Sequence, residues 1–177
     1  MGLSVDHDRY DDPYIREILT STRTIAMVGA SANVARPSFF VLKYLSERGY
    51  SLFPINPGLA GGEIHGRKVF ARLADVPEAI DMVDVFRNSE AAGAVVDEAL
   101  ALDPLPKTIW MQLGVREPAA AERAEAKGVK VVMNRCPKIE FGRLSGEIGW
   151  AGVNSRILSA KKPTIGVGFQ RLALGKP

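Results

Sequence analysis

Residues 24–38, TIAMVGASANVARPS, predict a buried strand, a turn and the start of a helix. The apolar run 24–28 ends at Gly29, and Pro37 suits the first turn of a helix. A strand that leads through a glycine turn into a helix is typical of open α/β sheets, where the helix N-terminus can hold an anion. The spacing is not G-x-G-x-x-G, however, and the loop from Gly29 to Pro37 is longer than a dinucleotide-binding turn.

The rest of the chain alternates strand-like and helical patterns. The further predicted strands are 50–55, 67–70, 82–86, 108–112 and 129–133. The predicted helices are 12–21, 37–48, 89–102, 118–127 and 137–144, with a turn or short helix at 73–79. Because the strands are continuous apolar runs, both faces of the sheet should be covered. We therefore expect an α/β fold with a doubly wound, mostly parallel open sheet.

Two of these helices carry more specific predictions. In the helix 37–48, apolar spacing places Phe40, Val41 and Leu45 together with Tyr44 on one face. Ser89 is the predicted cap of the helix 89–102. The first helix is expected to begin with an acidic cap and a proline, at Asp12-Pro13.

The composition limits the class of protein. A chain of 177 residues with 24% charged residues is expected to form one globular domain. The single cysteine, Cys136, excludes an internal disulfide framework and a zinc site built from several thiolates. The net charge of +3 comes without a dense basic run, so we expect no nucleic-acid partner. The chain shows no membrane-length apolar run and no apolar signal core near its start, so we expect a cytoplasmic protein without a membrane partner.

Ligands of open α/β sheets bind beyond the carboxyl ends of the strands. After the first strand, Ser31 and Ser38 offer hydroxyl groups and Arg36 offers a guanidinium. After the second strand, Asn56-Pro57-Gly58 contains no acid that could accept ribose hydroxyls, which counts against NAD. NADP is not excluded, although the nearest following arginine is Arg67.

The later strands also end in polar residues. Arg87-Asn88 follows 82–86, Leu113-Gly114 follows 108–112, whose last residue is the polar Gln112, and Asn134-Arg135 follows 129–133. Arg87 has a simpler explanation as a surface arginine in a salt bridge, and Gln112 as a partner of neighbouring backbone. Together, however, the strand ends carry four cations that suit a multiply phosphorylated ligand, namely Arg36, Arg87, Arg135 and Lys138.

Five motifs in order, TIAMVGAS…RPS, PINP, DVFR, WMQLGV and NRCPKIE, resemble the small CoA-binding domain proteins, which are similar to the CoA-binding domain of the succinyl-CoA synthetase α subunit. The resemblance covers about residues 12–160 and implies a Rossmann-like fold that binds coenzyme A. It implies that the phosphates of the nucleotide are contacted by Gly29, Ala30, Ser31, Arg36, Pro37 and Ser38. It implies that the rest of the cleft is lined by Asn56, Pro57, Phe86, Arg87, Gln112 and Gly114, to which the strand-end argument adds Asn134 and Arg135.

We accordingly assign residues 1–160 to a CoA-binding Rossmann-like domain and 161–177 to a basic C-terminal tail. The stretch 150–177 is irregular and rich in glycine and basic residues. The sequence leaves open whether it wraps the domain, contributes to a homodimer or is partly mobile.

The resemblance does not extend to a complete ligase. The chain is too short for a ligase domain, and it has only two histidines. We place His7 in a flexible N-terminus, and His65 in a glycine-flanked loop as an exposed or hydrogen-bonded residue. The favoured function is a carrier, sensor or partner subunit that binds CoA or acyl-CoA without chemistry of its own. The alternatives are an NAD(P)-binding oxidoreductase or redox sensor, and a subunit that supplies CoA to an acyl-CoA ligase in trans.

Three further side chains have less decided roles. Cys136 is favoured as a small apolar residue; the alternative is a thiolate activated by Arg135, Lys138 and the helix start, able to form a mixed disulfide with CoA. Asp81 and Asp84 bracket the start of a strand and could pair, but solvation at the strand edge accounts for them.

Overall fold

A computed structural model describes residues 5–146. Its strands are β1 (Thr24–Val28), β2 (Ser51–Ile55), β3 (Glu63–Ile64), β4 (Arg67–Lys68), β5 (Met82–Val85), β6 (Thr108–Met111) and β7 (Lys130–Val132). Its helices are α1 (Asp12–Ser21), α2 (Pro37–Glu47), α3 (Ser89–Ala99), α4 (Pro118–Ala126) and α5 (Pro137–Leu144), with short 3-10 turns at Pro57–Leu59 and Leu73–Asp75.

The main sheet is parallel and has the strand order β2-β1-β5-β6-β7. Helices cover both of its faces: α1, α2 and α5 contribute to one apolar cluster, and α3 and α4 to the other. Along β1, Ile25 and Met27 join the first cluster, while Ala26 and Val28 join the second. Because alternate residues enter different apolar layers, the whole strand is apolar. The expected doubly wound, Rossmann-like α/β fold is confirmed.

Beyond the main sheet, β3 and β4 form a small antiparallel hairpin. The strand β3 was not predicted, because two residues are too short to produce a recognisable pattern. The predicted strand 67–70 is shorter than expected: only Arg67–Lys68 is paired as a strand, and Phe70 makes an isolated bridge to Ile55.

Three local predictions are wrong. Phe40 does not lie on the buried face of α2: it is 51% exposed, whereas Val41, Leu42 and Leu45 face the core. The α3 cap is Asn88, whose side chain accepts the amide of Ala91, and Ser89 instead accepts the amide of Arg116. The α1 cap is Asp11 rather than Asp12, since the Asp11 carboxylate accepts the amide of Tyr14 at 2.9 Å.

The N-terminal strap, residues 6–10, packs along the edge strand β7. The Tyr10 hydroxyl accepts the amide of Met133 at 2.8 Å, and the Tyr14 hydroxyl in α1 donates to the carbonyl of Val131 at 3.1 Å. These bonds satisfy edge groups that no further strand pairs. His7 is also fixed: Nδ1 lies 2.8 Å from the Tyr10 hydroxyl, and Nε2 lies 3.1 Å from a Glu125 carboxylate oxygen. The prediction that His7 lies in a flexible segment is therefore wrong.

The predicted domain boundary at residue 160 and the tail 161–177 lie outside the described residues. Between residues 5 and 146, no helix combines the length and the apolar character that a bilayer span requires.

Candidate functional site

The strand order reverses direction at β1, which lies between β2 and β5. The loops after β1 and β5 therefore flank the switch point of the sheet, where open α/β folds bind ligands. The two loops are joined at their origin, because the amide of Phe86 donates to the carbonyl of Val28 at 2.8 Å.

Gly29 turns the chain at this point. Its φ of +88° is in the left-handed region, and a Cβ placed on it would lie 2.7 Å from the carbonyl oxygen of Phe86. The glycine thus permits close approach by the β5 loop, rather than the approach of a ligand that the sequence suggested. The amides of Gly29 and Ala30 both donate to the carbonyl of Ile55, at 3.0 and 3.3 Å, and are not available to an anion.

The next part of the loop does offer donors. The backbone amides of Ser31, Ala32 and Val34 donate no hydrogen bond to any of the described residues. The Ser31 hydroxyl accepts the amide of Asn33 at 3.1 Å, which leaves its own proton able to donate. The loop leads into α2, whose N-terminus adds a partial positive charge.

Two of the four predicted cations stand by this loop. Arg36 is the N-cap residue of α2, and the Cδ atom of Arg87 would lie 3.1 Å from a Cβ on Gly29. Both side chains are exposed, and neither forms an ion pair with any residue between 5 and 146. The simpler explanation of Arg87 as one half of a salt bridge is not supported within that part of the chain.

The other two cations, Arg135 and Lys138, contact aromatic rings. The guanidinium of Arg135 lies 5.4 Å from the centre of the Tyr10 ring and donates to the carbonyls of Asn134 and Asp8. The ammonium of Lys138 lies 5.6 Å from the centre of the Tyr44 ring. Arg135 and Lys138 thus already have partners within the fold, and the convergence of all four cations on one ligand stays a prediction.

Asn56 and Pro57 belong to the scaffold of the switch point. Nδ2 of the Asn56 side chain donates to the carbonyl of Ala30 at 2.8 Å, and its Oδ1 accepts the backbone amide of Gly58 at 2.9 Å. Asn56 thus ties the loop after β2 to the loop after β1. Pro57 opens the following 3-10 turn and is exposed. Near the same loops, Pro37 is exposed at the start of α2, while Ser38 is buried, with 4% of its surface exposed.

Gly114 and Asn134 hold the loops after β6 and β7 together. The amide of Gly114 donates to the Asn134 side chain at 2.8 Å, and the amide of Asn134 donates to the carbonyl of Val115 at 3.1 Å. Asn134 itself has a φ of 55°, which its side-chain hydrogen bond helps to stabilise. Both residues therefore shape the edge beside the switch point.

The prediction that Asp84 is solvated at the edge of a strand is wrong. Asp84 is 0% exposed, in the central strand β5, and does not pair with Asp81. One carboxylate oxygen, Oδ1, accepts Nε2 of Gln112 at 2.9 Å, and the other, Oδ2, has no partner among the described residues. Burial raises the pKa of Asp84 to about 7, more than the hydrogen bond from Gln112 lowers it. The sequence does contain a sign that Asp84 is buried, because it is an acid in the middle of an apolar run, MVDVF.

Cys136 has the properties of a buried apolar residue. It is 5% exposed, and burial raises the pKa of its thiol to about 11, although the amides of Ile139 and Lys138 act in the opposite direction. This contradicts the alternative of an activated thiolate. His65 is exposed and hydrogen-bonded to the carbonyl of Phe39 at 3.0 Å, as expected.

Comparison with known proteins agrees with this architecture. The chain matches the family described as the CoA binding domain over residues 23–142. It is 35% identical over 125 residues to the uncharacterised protein YneT of Bacillus subtilis, an alignment that covers 71% of this chain and 90% of that protein. A solved structure from Thermus thermophilus, 37% identical, superposes with a TM-score of 0.72 over 76% of this chain and 99% of the other.

A longer relative carries a named activity. The chain is 31% identical over 88 residues to the alpha subunit of an ADP-forming acetate–CoA ligase of Pyrococcus furiosus, which covers 46% of this chain and 19% of that subunit. The match to the ligase subunit is thus limited to about a fifth of its length. The family match covers most of the described fold and includes the loops after β1, β5 and β6. The chain belongs to the CoA binding domain family.

Proposed function

We propose that this protein binds coenzyme A or an acyl-CoA at the carboxyl edge of its sheet, as a carrier, sensor or partner subunit without chemistry of its own. The observation that carries the proposal is the pair Arg36 and Arg87, which lie unpaired, among the described residues, beside a loop with uncommitted amides. A cytoplasmic location is part of the same proposal.

The chemistry of CoA fits these groups. Its diphosphate and 3′-phosphate present acceptor oxygens and negative charge at separate places, and backbone amides, a helix N-terminus and guanidinium groups are the usual partners of phosphates. Exposed apolar side chains lie in the loops of the same edge, namely Val34, Leu59 and Leu113. They suit the less polar pantetheine arm.

The alternative of an NAD(P) enzyme has weaker support. Dinucleotide sites place a carboxylate after the second strand to accept the ribose hydroxyls. Here that position is Asn56, whose side chain is bonded to Ala30 and Gly58. A ligand could hydrogen-bond to the Asn56 side chain only by breaking its bonds to Ala30 and Gly58.

Titration calorimetry with CoA, dephospho-CoA, NADH and NADPH tests the proposal. We expect CoA to bind with an affinity that weakens as salt is raised, because charge pairs at an exposed edge are screened. Dephospho-CoA should bind more weakly if the 3′-phosphate meets one of the arginines. Tight NADPH binding without CoA binding would reverse the assignment.

A second candidate is a subunit that supplies CoA to a ligase in trans. The observation that favours it is the match to the alpha subunit of a ligase, because this chain spans only a fifth of that subunit. Affinity purification of the tagged protein, with and without CoA, tests it. Recovery of an ATP-grasp protein that depends on CoA supports the role, whereas purification without such a partner supports an independent carrier or sensor.

A further inference from the structure

Asp84 is not explained by the folding of the sheet alone. A carboxyl group that is 0% exposed, with Oδ2 unpartnered among residues 5–146, is costly in an otherwise apolar strand. Its neighbours in register are Met27 on β1 and Trp110 on β6, neither of which can neutralise it. An apolar residue here would fit the pattern of the strand better, so the acid needs a reason outside packing.

The position of Asp84 supplies such a reason. It lies two residues before Phe86 on the strand that leads to the switch point, and its bonded partner, Gln112, follows the neighbouring strand β6. Gln112 is 6% exposed and lies at the carboxyl end of the sheet. The hydrogen bond therefore connects a carboxyl group inside the sheet to a side chain at the edge where the ligand is proposed to bind.

We propose that Asp84 couples ligand binding to proton uptake: it is partly ionised in the free protein and becomes neutral when a phosphate-bearing ligand occupies the edge above it. This inference rests on the proposed function and extends it to a proton linkage. Asp84 is a positioning residue in this account, since it acts on the ligand through Gln112 and through its charge.

The first reason is electrostatic. In the free protein, Asp84 lies on the strand that leads to the proposed binding edge, and its Oδ2 has no partner among residues 5–146. A polyanion bound at that edge adds negative charge beyond the end of the strand, which favours the neutral acid. Burial raises the pKa of Asp84 to about 7, so the carboxyl group can respond near neutral pH.

The second reason is the hydrogen-bonding capacity of Gln112. An ionised Asp84 can only accept, so it holds Nε2 of Gln112, and the Gln112 oxygen accepts no hydrogen bond from residues 5–146. A neutral Asp84 can donate to that oxygen instead, and the amide then turns so that both Nε2–H donors are released from Asp84. A ligand rich in phosphate and carbonyl oxygens offers acceptors and so favours the neutral state.

Few other charges compete for this role. The Cys136 thiol lies in the same apolar layer, and burial keeps it neutral by raising its pKa to about 11. In α5, the buried Glu140 is paired with Arg143 at 2.7 Å. The charged side chains near the layer on α1 and α2 are exposed, namely Asp12, Arg16, Glu17, Lys43 and Glu47.

The test measures proton uptake during CoA binding, by calorimetry at pH 7 in two buffers of different ionisation enthalpy. We expect the wild type to take up about half a proton more than Asp84→Asn, because a group of pKa about 7 is half ionised at this pH. Comparison of the two proteins cancels the ionisation of CoA itself. Between pH 6 and 8, the wild type should lose roughly tenfold more affinity than the variant if Asp84 stays neutral in the complex.

Asp81→Asn is the matched control, because Asp81 precedes the same strand at its opposite end and pairs with Lys107 at 2.8 Å. It should keep the proton uptake of the wild type. If Asp84→Asn does not fold, carbon-13 NMR of the Asp84 carboxyl group in the wild type gives the same answer. An apparent pKa that rises on addition of CoA supports the linkage. Binding with equal proton uptake in both proteins, or an unchanged carboxyl titration, overturns this inference only, whereas absence of CoA binding refutes the proposed function itself.

Discussion

Arg36 and Arg87 are the side chains on which the proposed phosphate site depends most directly. Each is exposed at the switch point. Neither has an ion-pair partner within residues 5–146, so removal of either side chain leaves no described charge unpaired. Their substitution should therefore affect ligand binding more than folding.

Arg36→Ala and Arg87→Ala should each weaken CoA binding by roughly 1–3 kcal/mol, since each removes one charge-assisted hydrogen bond. Calorimetry gives the affinities, and thermal unfolding shows whether the fold is intact. Arg123→Ala is the control, because Arg123 pairs with Asp97 at 3.0 Å between α3 and α4, away from the edge. Unchanged affinity in both test variants would refute the assignment of the cleft.

Gly29 is constrained by the fold rather than by the ligand. Gly29→Ala adds a Cβ 2.7 Å from the carbonyl oxygen of Phe86, at a φ of +88°. Gly49 has nearly the same φ, +92°, but has nothing within 4 Å of the added atom. We expect Gly49→Ala to cost about 1–2 kcal/mol from backbone strain and Gly29→Ala to cost clearly more. Urea unfolding of the two variants measures the difference, and equal losses would show that the loops simply move apart.

At the scale of elements, the strap across the edge strand β7 has no counterpart in the sequence-based predictions. Two tyrosine hydroxyls, of Tyr10 and Tyr14, take the place of a neighbouring strand. This arrangement protects the edge from pairing with another chain while it leaves the sheet at five strands within the described residues.

Tyr10→Phe should lose about 1–2 kcal/mol of stability, because it leaves the amide of Met133 without its acceptor. Amide hydrogen exchange should show faster exchange at Met133 in this variant. Tyr14→Phe is a matched control for that readout, because it removes the donor to the carbonyl of Val131 and leaves the Met133 bond intact. Equal exchange at Met133 in both variants would contradict the role given to Tyr10.

For the whole molecule, the buried Asp84 should make stability depend on pH. Its pKa in the folded protein is raised to about 7, whereas in the unfolded chain it is near 4, so the folded state binds more protons between these values. Its contribution to stability is therefore present below about pH 4 and is lost as pH rises through 7.

Asp84→Asn removes this loss. The free energy of unfolding of the variant minus that of the wild type should therefore increase by roughly 2–3 kcal/mol as the pH is raised from 5 to 8. Urea unfolding of both proteins at the two pH values measures the change, and the comparison cancels the titration of other groups. A constant difference between the proteins would show that Asp84 is not protonated in the fold.

Much of this architecture was already determined by the sequence. The strand β1 and the helices α1 and α5 have the predicted bounds, because buried strands and capped helices are local patterns of apolar residues, prolines and glycines. The parallel, doubly wound sheet follows from the alternation of these elements, since parallel strands need helical crossovers. The residues that follow each predicted strand likewise lie in the loops that meet at the carboxyl edge of the sheet.

Only the tertiary structure decided which backbone and side-chain groups already have a partner within the fold. The backbone amides of Gly29 and Ala30 donate to the carbonyl of Ile55, the guanidinium of Arg135 lies over the Tyr10 ring, and the buried Asp84 accepts a hydrogen bond from Gln112. Each of these contacts joins residues that are distant in the chain, so no local pattern reports them. Burial and pairing depend on which elements become neighbours in space, and that property arises only when the whole sheet has formed.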